Sequence, residues 1–334
     1  MPQDNQMNTL TQLKINSADW STSVKDQLQA VESRLHQVPA NQHDEITAAG
    51  ERLFNAGGKR VRPAVCLLTA GVFQAEPVSA VALASAVELL HTATLVHDDL
   101  IDGANMRRGV ATLNADWSPE ATVLMGDYLF ARAATLIAET DSVKIMDLFA
   151  QTMMIILNGE IAQRFARWQV NRQEYYQRIY AKTAALFVLA TESASVLGKA
   201  DRSHKNAMID YGHSLGLAFQ IVDDVLDFTG SSKSIGKPAG NDLRQGLITL
   251  PAILFREKYP EDKDFSALLN GRHNDSELVA HMVERIRDSS AIEASLKEAR
   301  TYAHKAQNAL SHVPFSRNVE SLSALAEYVV FRNL

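Results

Sequence analysis

Apolar residues recur along this chain at the three- and four-residue spacing of helices, in long segments separated by short polar breaks. Alternating β-branched runs bounded by hairpin turns, the usual sign of strands, are scarce. The pattern predicts long helices at roughly residues 78–102, 119–139, 142–167, 172–197 and 202–228. Because these lengths exceed the usual mean of about 12 residues, the sequence predicts an all-α bundle of long helices around a central cavity.

Several helix ends carry recognisable signals. Ser118 before Pro119 is typical of an N-cap followed by proline in the first turn, and Asn171-Arg-Gln-Glu174 has the pattern of a capping box. Gly198 and Gly230 are expected to stop the helices before them. The Gly-, Ser-, Lys- and Pro-rich segment 230–246 predicts a loop between helices rather than a domain linker.

The later part of the chain is more polar than the first. Beyond about residue 260 it predicts further amphipathic helices, with Asn274-Asp-Ser-Glu277 as one start. We expect one domain over residues 1–334, with residues 1–20 as a candidate flexible segment, because 334 residues with 46% hydrophobic content can bury a substantial core.

Composition and charge exclude several classes of protein. The 33 basic and 39 acidic residues leave a net charge of -6, which argues against nucleic acid as a general partner. The single Cys66 lies in an apolar run and is expected to be a packed thiol, which fits a reducing cytoplasm. The first residues lack the features of a secretory signal, and no window approaches eighteen uninterrupted apolar residues, so no membrane span is expected.

Two carboxylate clusters with the same spacing stand inside apolar, helix-like stretches. They are Asp98-Asp99-Leu-Ile-Asp102 and Asp223-Asp224-Val-Leu-Asp227. On a helix the first and last acids of each cluster share a face, and such concentrated charge among apolar residues requires cations. Oxygen ligands without cysteine suit Mg²⁺, which takes one or two carboxylates together with water and substrate phosphates. Two facing acidic walls therefore predict a site that holds a diphosphate through Mg²⁺; a solvated helix face is the alternative that one cluster alone would favour.

Basic residues support the diphosphate interpretation because they occur in short groups. The first group is Gly57-Gly58-Lys59-Arg60-Val61-Arg62-Pro63, where glycines allow close approach and the cations match phosphate oxygens. The second is Arg107-Arg108-Gly109, just after the first acidic cluster; its alternative is a salt bridge to those aspartates. Lys182-Thr183 and Lys237 are single positions that on their own would be ordinary surface residues.

From about Gly57 to Pro251 the chain resembles the trans-isoprenyl diphosphate synthases, the polyprenyl synthetase family, of medium- or long-chain type. The segments that carry the resemblance are Gly57–Pro63, Leu95–Asp102 with Arg107-Arg108-Gly109, Gly126-Asp-Tyr-Leu129, Lys182-Thr-Ala184, Phe219–Asp227 and Gly236-Lys-Pro-Ala-Gly-Asn-Asp242. The resemblance implies an isoprenoid synthase fold. It also implies head-to-tail condensation of isopentenyl diphosphate onto an allylic diphosphate, with Mg²⁺ assisting departure of the allylic diphosphate and an allylic carbocation as the result.

The resemblance also implies roles for individual residues. The implied direct metal ligands are Asp98, Asp102 and Asp223, while Asp99, Asp224 and Asp227 ligate metal or orient its bound water. Isopentenyl diphosphate would be held by Lys59, Arg62, His91 and Arg108. The allylic diphosphate would be held by Arg107, Lys182 and Lys237. The residues near the developing positive charge would be Thr183, Gln220 and Phe219. No side chain is assigned as a general base, because the released diphosphate is the expected proton acceptor.

Two positions bear on the details of the reaction. Many relatives carry lysine after the glycine that precedes Thr-Leu-Pro, whereas this chain has Gly246-Leu247, so one basic contact is missing. In this family product length depends on bulk beneath the first acidic cluster, where this chain has Ala93 and Thr94. Small residues there predict a long product, hexaprenyl or longer, and an Ala93→Tyr variant is expected to shorten it. Ala93 lies roughly 140° from Asp98 around the helix, so Thr94 is better aligned.

Three alternatives to a medium- or long-chain enzyme stay open. A short-chain farnesyl or geranylgeranyl synthase would share every motif and differ in product length. A terpene cyclase or head-to-head condensing enzyme would not need the second set of basic residues. A noncatalytic prenyl-diphosphate-binding subunit would be expected to have degenerate acidic motifs, and both are intact. The resemblance implies a homodimer, with a heterodimer containing a small subunit as the alternative, and at most peripheral membrane contact during product release.

Overall fold

The computed structural model describes residues 20–37, 42–107, 109–165, 167–230 and 239–331 of the chain. The helices of the first half are α1 (Lys25–His36), α2 (Asp44–Asn55), α3 (Val61–Val72), α4 (Pro77–Ile101), α5 (Pro119–Ala138) and α6 (Val143–Phe165). The described residues are almost entirely helical, which confirms the predicted all-α class.

The second half continues the same architecture. Its helices are α7 (Arg172–Ile179), α8 (Ala185–Leu197), α9 (Arg202–Thr229), α10 (Asn241–Arg244), α11 (Leu250–Lys258), α12 (Lys263–Leu269), α13 (Ser276–Arg287), α14 (Ala291–Ala309) and α15 (Arg317–Phe331). A π-helical turn, Tyr180–Ala184, joins α7 to α8 into one continuous helix. Short 3₁₀ turns cover Thr22–Val24, Leu113–Ala115, Arg272–Asn274 and Leu310–His312.

A small hairpin follows α4. Its strands are β1 (Met106–Arg107) and β2 (Val110–Ala111), which pair antiparallel with Met106 opposite Ala111 and Arg107 opposite Val110. In the described part of the chain these are the strands that form a sheet. The hairpin turns the chain back directly after the first acidic cluster and so places Arg107 beside α4.

Side-chain caps explain why the predicted helix bounds agree with the structure to within one or two residues. The Ser118 hydroxyl accepts a hydrogen bond from the Ala121 N–H at 3.3 Å, and the Asn171 side chain accepts from the N–H groups of Gln173 and Glu174. The later start predicted at Asn274 is one residue too early. Asp275 caps α13 instead, accepting from the Leu278 N–H at 3.0 Å.

Two apolar clusters form the core, and α9 contributes to both. The first cluster joins α3, α4 and α8 to α15 and includes Leu215 of α9; the second joins α7 to α11–α14 and includes Phe228 of α9. Cys66 of α3 is fully buried, and this burial raises the pKa of its thiol, so the prediction of a packed thiol is confirmed.

Close helix contacts surround the π-helical turn. A Cβ added to Gly159 of α6 would lie 2.4 Å from the Ala181 Cβ, and one added to Gly216 of α9 would lie 2.4 Å from the Ala184 Cα. Glycine at both positions therefore lets α6 and α9 pack directly on the turn. This packing fixes the position of Lys182 and Thr183, which the turn contains.

Three helices are long and apolar enough to cross a membrane when length and composition alone are considered: α4, α5 and α6. In α4 most of the apolar segment is buried inside the bundle, so the core accounts for its composition. Only 28% of the corresponding segment of α6 is buried, which leaves an apolar surface on that helix.

Candidate active site

The two acidic clusters lie at the ends of the two longest helices. Asp98 and Asp99 occupy the last turn of α4, and Asp102 follows as its C-cap. Asp223, Asp224 and Asp227 occupy the last two turns of α9. In both helices the first and last acids are four residues apart and share a face, as the sequence predicts.

Cationic side chains of the protein contact the first cluster. Arg107 Nε donates to Asp99 Oδ1 at 2.8 Å and to Asp99 Oδ2 at 3.0 Å, a two-oxygen contact with a nearly buried carboxylate. Arg164 of α6 donates to Asp102 Oδ1 at 3.1 Å, and that pair is half-exposed. The first cluster therefore has positive partners built into the fold.

Asp98 lies in the most crowded part of this cluster. Burial raises the pKa of Asp98 to about 6; the Lys182 ammonium opposes that shift, whereas the carboxylates of Glu160 and Asp102 add to it. A carboxyl with so high a pKa has too few positive charges around it. Any further cation bound here would favour its ionised form.

Neutral donors contact the second cluster. The Tyr175 hydroxyl donates to Asp224 Oδ2 at 2.7 Å, and Gln220 Nε2 donates to Asp224 Oδ1 at 2.8 Å. The backbone N–H groups of Asn241 and Asp242 donate to the two oxygens of Asp227, both at 3.2 Å. These four donors are neutral groups, whereas the Arg178 guanidinium acts on Asp224 electrostatically.

Burial and crowding of carboxylates raise the pKa of Asp224 and of Asp227. Burial is the largest cause at each residue, and the nearby carboxylate of Asp242 adds to it. Donation by Gln220, Tyr175 and the two backbone N–H groups, together with the positive charge of Arg178, opposes the rise without overcoming it. Bound cations would therefore favour the ionised forms of Asp224 and Asp227.

Lys182 connects the two clusters electrostatically. The protein atoms crowded around its ammonium act to lower the pKa of Lys182, but the carboxylates of Glu160, Asp98, Asp242 and Asp102 outweigh them and the pKa is raised. Asp98 and Asp102 belong to the first cluster, and Asp242 lies against the second. Asp98 and Asp102 of the first cluster and Asp242 beside the second thus act on one ammonium, that of Lys182.

Thr183 and Gln220, predicted to lie near the developing positive charge, are in direct contact. The Thr183 hydroxyl donates to Gln220 Oε1 at 2.5 Å, and Gln220 in turn donates to Asp224. This chain of hydrogen bonds orients the amide of Gln220 with its oxygen toward the π-helical turn. Phe219, the third predicted residue, is the neighbour of Gln220 on α9 and packs against Phe187 with ring centroids 5.5 Å apart.

Arg62 and His91, both predicted to hold isopentenyl diphosphate, lie together. Arg62 Nη1 is 3.3 Å from His91 Nε2, and the Arg62 guanidinium lies over the rings of Phe187 and Phe219 at 5.0 and 5.4 Å from their centroids. The stacking holds a cation beside the predicted Phe219. Lys59 lies further toward α15, with its ammonium 5.5 Å from the centroid of the Tyr328 ring.

Arg60, one of the three cations expected from the sequence to face phosphate, has a different role. Its guanidinium donates to Glu32 at 2.5 Å and to the buried Glu88 at 2.9 Å, so it ties α1 to α4. The salt-bridge alternative considered for the second basic group is what the structure shows for Arg107. Arg108 and Lys237 lie outside the described residues.

His97 points away from the basic group. Its Nε2 lies 3.1 Å from the Val123 carbonyl oxygen of α5 and 3.6 Å from Asp127. These contacts join α4 to α5. It therefore belongs to the helix packing around the site.

A small apolar cavity lies one to two turns before Asp98 along α4. It is lined by Leu90, Thr94, Phe130, Met153, Ile156 and Leu157. Thr94 is thus on the cavity wall. Ala93 has no exposed surface and belongs to the first core cluster, so the structure assigns it to helix packing. Of the two predicted chain-length positions, only Thr94 borders this space.

The donors at the two clusters fit a hard divalent cation. Within the described residues, no three Asp, Glu, His or Cys side chains form a closed metal-ligand set. Mg²⁺ does not need one, because it retains several waters and takes one or two carboxylates together with substrate phosphates. Burial raises the pKa values of the Asp98, Asp224 and Asp227 carboxyls, and the nearby positive charges and hydrogen-bond donors do not overcome it. Carboxylate oxygens with an unmet demand for cations suit Mg²⁺.

Three residues at the site are not predicted by the sequence motifs. Glu160 and Arg164 of α6 reach Asp98 and Asp102 from a helix about sixty positions later, and Tyr175 reaches Asp224 from α7. The apolar pattern of α6 places Glu160 and Arg164 one turn apart on a shared face, which was the only available signal. Nothing local distinguishes Tyr175 from other aromatic core residues.

Comparison with known proteins agrees with this geometry. The polyprenyl synthetase family model matches residues 43–286. Heptaprenyl diphosphate synthase component 2 of Bacillus subtilis is 34% identical over 309 residues, which cover 92% of this chain and 88% of that protein. Octaprenyl diphosphate synthase of Haemophilus influenzae is 35% identical over 305 residues, which cover 86% and 88%.

A solved structure shares the fold closely. The crystal structure of polyprenyl synthase from Caulobacter crescentus CB15, complexed with calcium and isoprenyl diphosphate, matches with a TM-score of 0.86 and 36% identity over 95% of this chain and 98% of that one. The present chain belongs to the polyprenyl synthetase family. The predictions of an isoprenoid synthase fold and of a trans-prenyltransferase are therefore confirmed.

Proposed function

We propose that this chain catalyses Mg²⁺-dependent condensation of isopentenyl diphosphate onto an allylic diphosphate and releases a medium- or long-chain all-trans polyprenyl diphosphate. The observation that carries the proposal is the raised pKa of Lys182, which reports Asp98 and Asp102 of the first cluster and Asp242, the neighbour of Asp227, around one ammonium. A diphosphate in that space would meet one cation of the protein and two sets of metal-binding oxygens. The relative that binds calcium and isoprenyl diphosphate supports the same arrangement.

The chemistry requires charge to be separated and water to be kept away. Breaking the allylic carbon–oxygen bond leaves a diphosphate anion and a carbocation, and preorganised charges stabilise such a state more effectively than water does. Bound Mg²⁺ would supply positive charge to the departing diphosphate, held by Asp98, Asp102 and Asp223. Lys182 would supply a further positive charge to the same group.

Neutral groups of the protein would stabilise the carbocation. The Gln220 amide oxygen accepts from Thr183 and so is fixed near the π-helical turn, while Phe219 is its neighbour on α9 and packs against Phe187. An oxygen dipole and an aromatic face both stabilise a cation without reacting with it. The two are therefore suited to hold the carbocation until isopentenyl diphosphate adds to it.

Isopentenyl diphosphate would bind where Arg62 and His91 meet. The two side chains come from α3 and α4 and lie 3.3 Å apart, and Lys59 belongs to the same group. Arg108 would complete this binding site, and Lys237 would add to the allylic site. The proton lost after carbon–carbon bond formation would go to the released diphosphate.

Product length would be set by the apolar cavity before Asp98. A chain growing from the acidic cluster would run along α4 past Thr94 toward Leu90. Thr94→Phe should therefore shorten the product, whereas Ala93→Tyr should destabilise the fold by about 1–3 kcal/mol because it overpacks the core. Thin-layer sizing of products and thermal unfolding separate the two outcomes; a full-length product from Thr94→Phe would contradict this assignment.

The assembly we propose is a homodimer formed through α6. Met154, Leu157, Ile161 and Phe165 recur at three- and four-residue spacing on this helix and are all exposed. Such a stripe is costly in water and suits a second copy of the helix. Sedimentation equilibrium should give twice the 36.8 kDa of one chain, and Ile161→Glu should give one chain's mass.

A dissimilar partner subunit is the second candidate for that surface. The observation that favours it is the similarity to heptaprenyl diphosphate synthase component 2, whose name refers to more than one component. A purified chain that is monomeric and inactive until another subunit is added would support it. We place the enzyme in the cytoplasm, with at most peripheral membrane contact when the apolar product leaves.

One incubation tests the proposed reaction. Purified protein is mixed with radiolabelled isopentenyl diphosphate, an allylic primer and Mg²⁺, and products are sized after dephosphorylation. We expect labelled polyprenyl products of six or more isoprene units, with none when EDTA replaces Mg²⁺. Short products alone would favour the farnesyl or geranylgeranyl alternative. No incorporation by a folded dimer would overturn the proposed function.

A further inference from the structure

The last turns of α6 bring an acid and an arginine to the edge of the active site. Glu160 and Arg164 are four residues apart, so they share the face that points at α4. Glu160 acts on Asp98, and Arg164 Nη2 contacts Asp102 Oδ1 at 3.1 Å. The two interactions lie one helical turn apart along α6. The second places the Arg164 guanidinium in contact with Asp102, an implied metal ligand.

An open cleft lies beside this guanidinium. It has a volume of about 210 Å³ and is lined by Asp102, Gln163, Arg164, Arg167, Gln245 and Leu247. Four of these side chains can donate hydrogen bonds, and two of them carry a full positive charge. Asp102 is the carboxylate in this lining, so the cleft has donors in excess and suits an anion.

The ion pair of Arg164 differs from the other arginine pair in the first cluster. Arg107 contacts both oxygens of Asp99, which is nearly buried. Arg164 makes a single contact with Asp102, and each of these two side chains is 33% exposed. Because exposed single-contact pairs add little stability and are screened by solvent, the Arg164 pair can be exchanged whereas the Arg107 pair is fixed.

Arginine can serve both partners in such an exchange. Its planar guanidinium group can donate two parallel hydrogen bonds to the oxygens of a carboxylate or of a phosphate. A positive partner is favourable for Asp102, because its carboxylate lies near that of Asp98. Until substrate arrives, the guanidinium of Arg164 is that partner.

We propose that Arg164 is an exchangeable counter-ion: it pairs with Asp102 in the substrate-free enzyme and transfers to the diphosphate of the substrate when Asp102 takes a divalent ion. Arg167, in the same cleft, adds a second positive charge for that diphosphate. This inference rests on the proposed function, since it assumes that divalent ions and a diphosphate meet at Asp102. It assigns Arg164 a positioning role before binding and a substrate contact afterwards.

The exchange predicts effects of opposite sign in a single variant. In Arg164→Gln, Asp102 has lost its competing cation, so Mn²⁺ alone should bind about threefold more tightly. The diphosphate has lost a charge-assisted contact, so inorganic pyrophosphate in the presence of Mg²⁺ should bind about tenfold more weakly. Isothermal titration and Mn²⁺ electron paramagnetic resonance measure the two affinities without turnover.

Matched variants exclude a merely structural role. Arg300→Gln removes a comparable exposed pair, with Glu293 on α14, and should change neither affinity. Arg164→Lys keeps the positive charge without the planar guanidinium, so it should bind pyrophosphate more tightly than Arg164→Gln does. If Arg164→Gln lowers only the melting temperature and leaves both affinities unchanged, the proposal that Arg164 exchanges between Asp102 and the diphosphate is wrong. If Arg164→Gln does not fold, Arg164→Lys decides: pyrophosphate affinity equal to that of the wild type would overturn the proposal.

The wild-type protein separates this inference from the proposed function. Pyrophosphate that fails to bind wild-type protein in Mg²⁺ would contradict the proposed function itself. Pyrophosphate that binds wild-type protein and Arg164→Gln equally would overturn only the role of Arg164.

Discussion

The two acidic clusters share one sequence pattern but differ in how the protein neutralises them. In the first, Arg107 and Arg164 pair with Asp99 and Asp102. In the second, Asp224 and Asp227 receive a phenol, an amide and two backbone N–H groups, none of which carries a full charge. The difference teaches that spacing fixes which face the carboxylates share, whereas distant residues decide how much positive charge the cluster still needs.

This contrast suggests different contributions of the two clusters to cation binding. The first cluster is held together by the protein before any ligand arrives, so its aspartates are preorganised. In the second, burial and the nearby Asp242 carboxylate raise the pKa values of Asp224 and Asp227, so bound cations would stabilise both. We therefore expect removal of divalent ions to affect Asp224 and Asp227 more than Asp99, which keeps its arginine partner.

The largest effect should come from replacing one acid in each cluster. Asp98→Ala and Asp223→Ala should each lower kcat by about a thousandfold, because each removes charge stabilisation from the departing diphosphate. Both should also weaken pyrophosphate binding in Mg²⁺. Steady-state turnover and calorimetry measure the two effects. Diphosphate binding that survives both substitutions unchanged would support the solvated-helix alternative instead.

A second substitution tests the fixed pair of the first cluster. Arg107→Gln leaves the nearly buried Asp99 carboxylate without its positive partner and should lower the free energy of unfolding by about 2 kcal/mol. Arg272→Gln, which breaks an exposed pair with Asp275, is the control and should cost about 0.5 kcal/mol or less. Urea unfolding compares them. Equal losses would mean that the Arg107 pair is not structural.

A third substitution tests the neutral donors of the second cluster. Tyr175→Phe removes the hydroxyl that orients Asp224 and should lower activity about tenfold, as loss of a partner behind a metal ligand commonly does. Tyr211→Phe is the matched control, since the Tyr211 hydroxyl is equally buried but donates to the Leu322 carbonyl away from the site. Activity should fall only in Tyr175→Phe; the same loss in both would assign it to stability.

The smallest effect concerns crowding in the second cluster. Because burial and Asp242 raise the pKa of Asp224 and Asp227 above the value of about 4 in an unfolded chain, ionisation favours unfolding and the metal-free protein loses stability as pH rises. Asp242→Asn removes one like charge and should recover roughly 0.5 kcal/mol at about pH 8 in EDTA, and less at about pH 5. Thermal unfolding at both pH values checks this; destabilisation at the higher pH would contradict it.

Local sequence signals predict the helices and the aspartates but not their partners. Ser118 and Asn171 cap helices where the sequence indicates, and the acid spacing places each cluster on one face. Arg60, by contrast, was expected at phosphate and instead binds Glu32 and Glu88. Such contacts join helices far apart in the chain, so no local pattern distinguishes a phosphate-binding arginine from a structural one.

The product-length region shows the same limit. Helical geometry indicates that Thr94 is better aligned with Asp98 than Ala93 is, and Thr94 does line the apolar cavity. The opposite wall comes from Phe130, Met153, Ile156 and Leu157 of α5 and α6. Which residues of α6 face that wall depends on how three helices pack, and periodicity along one helix does not determine it.

Anomalous diffraction from crystals of the enzyme grown with Mn²⁺ and inorganic pyrophosphate tests the central claim most directly. We expect manganese peaks about 2.1 Å from carboxylate oxygens of both clusters, Asp98 or Asp102 on one side and Asp223 on the other, with pyrophosphate between them and near Lys182. Peaks confined to one cluster, or pyrophosphate bound away from Lys182, would contradict the account of two acidic clusters that hold one diphosphate.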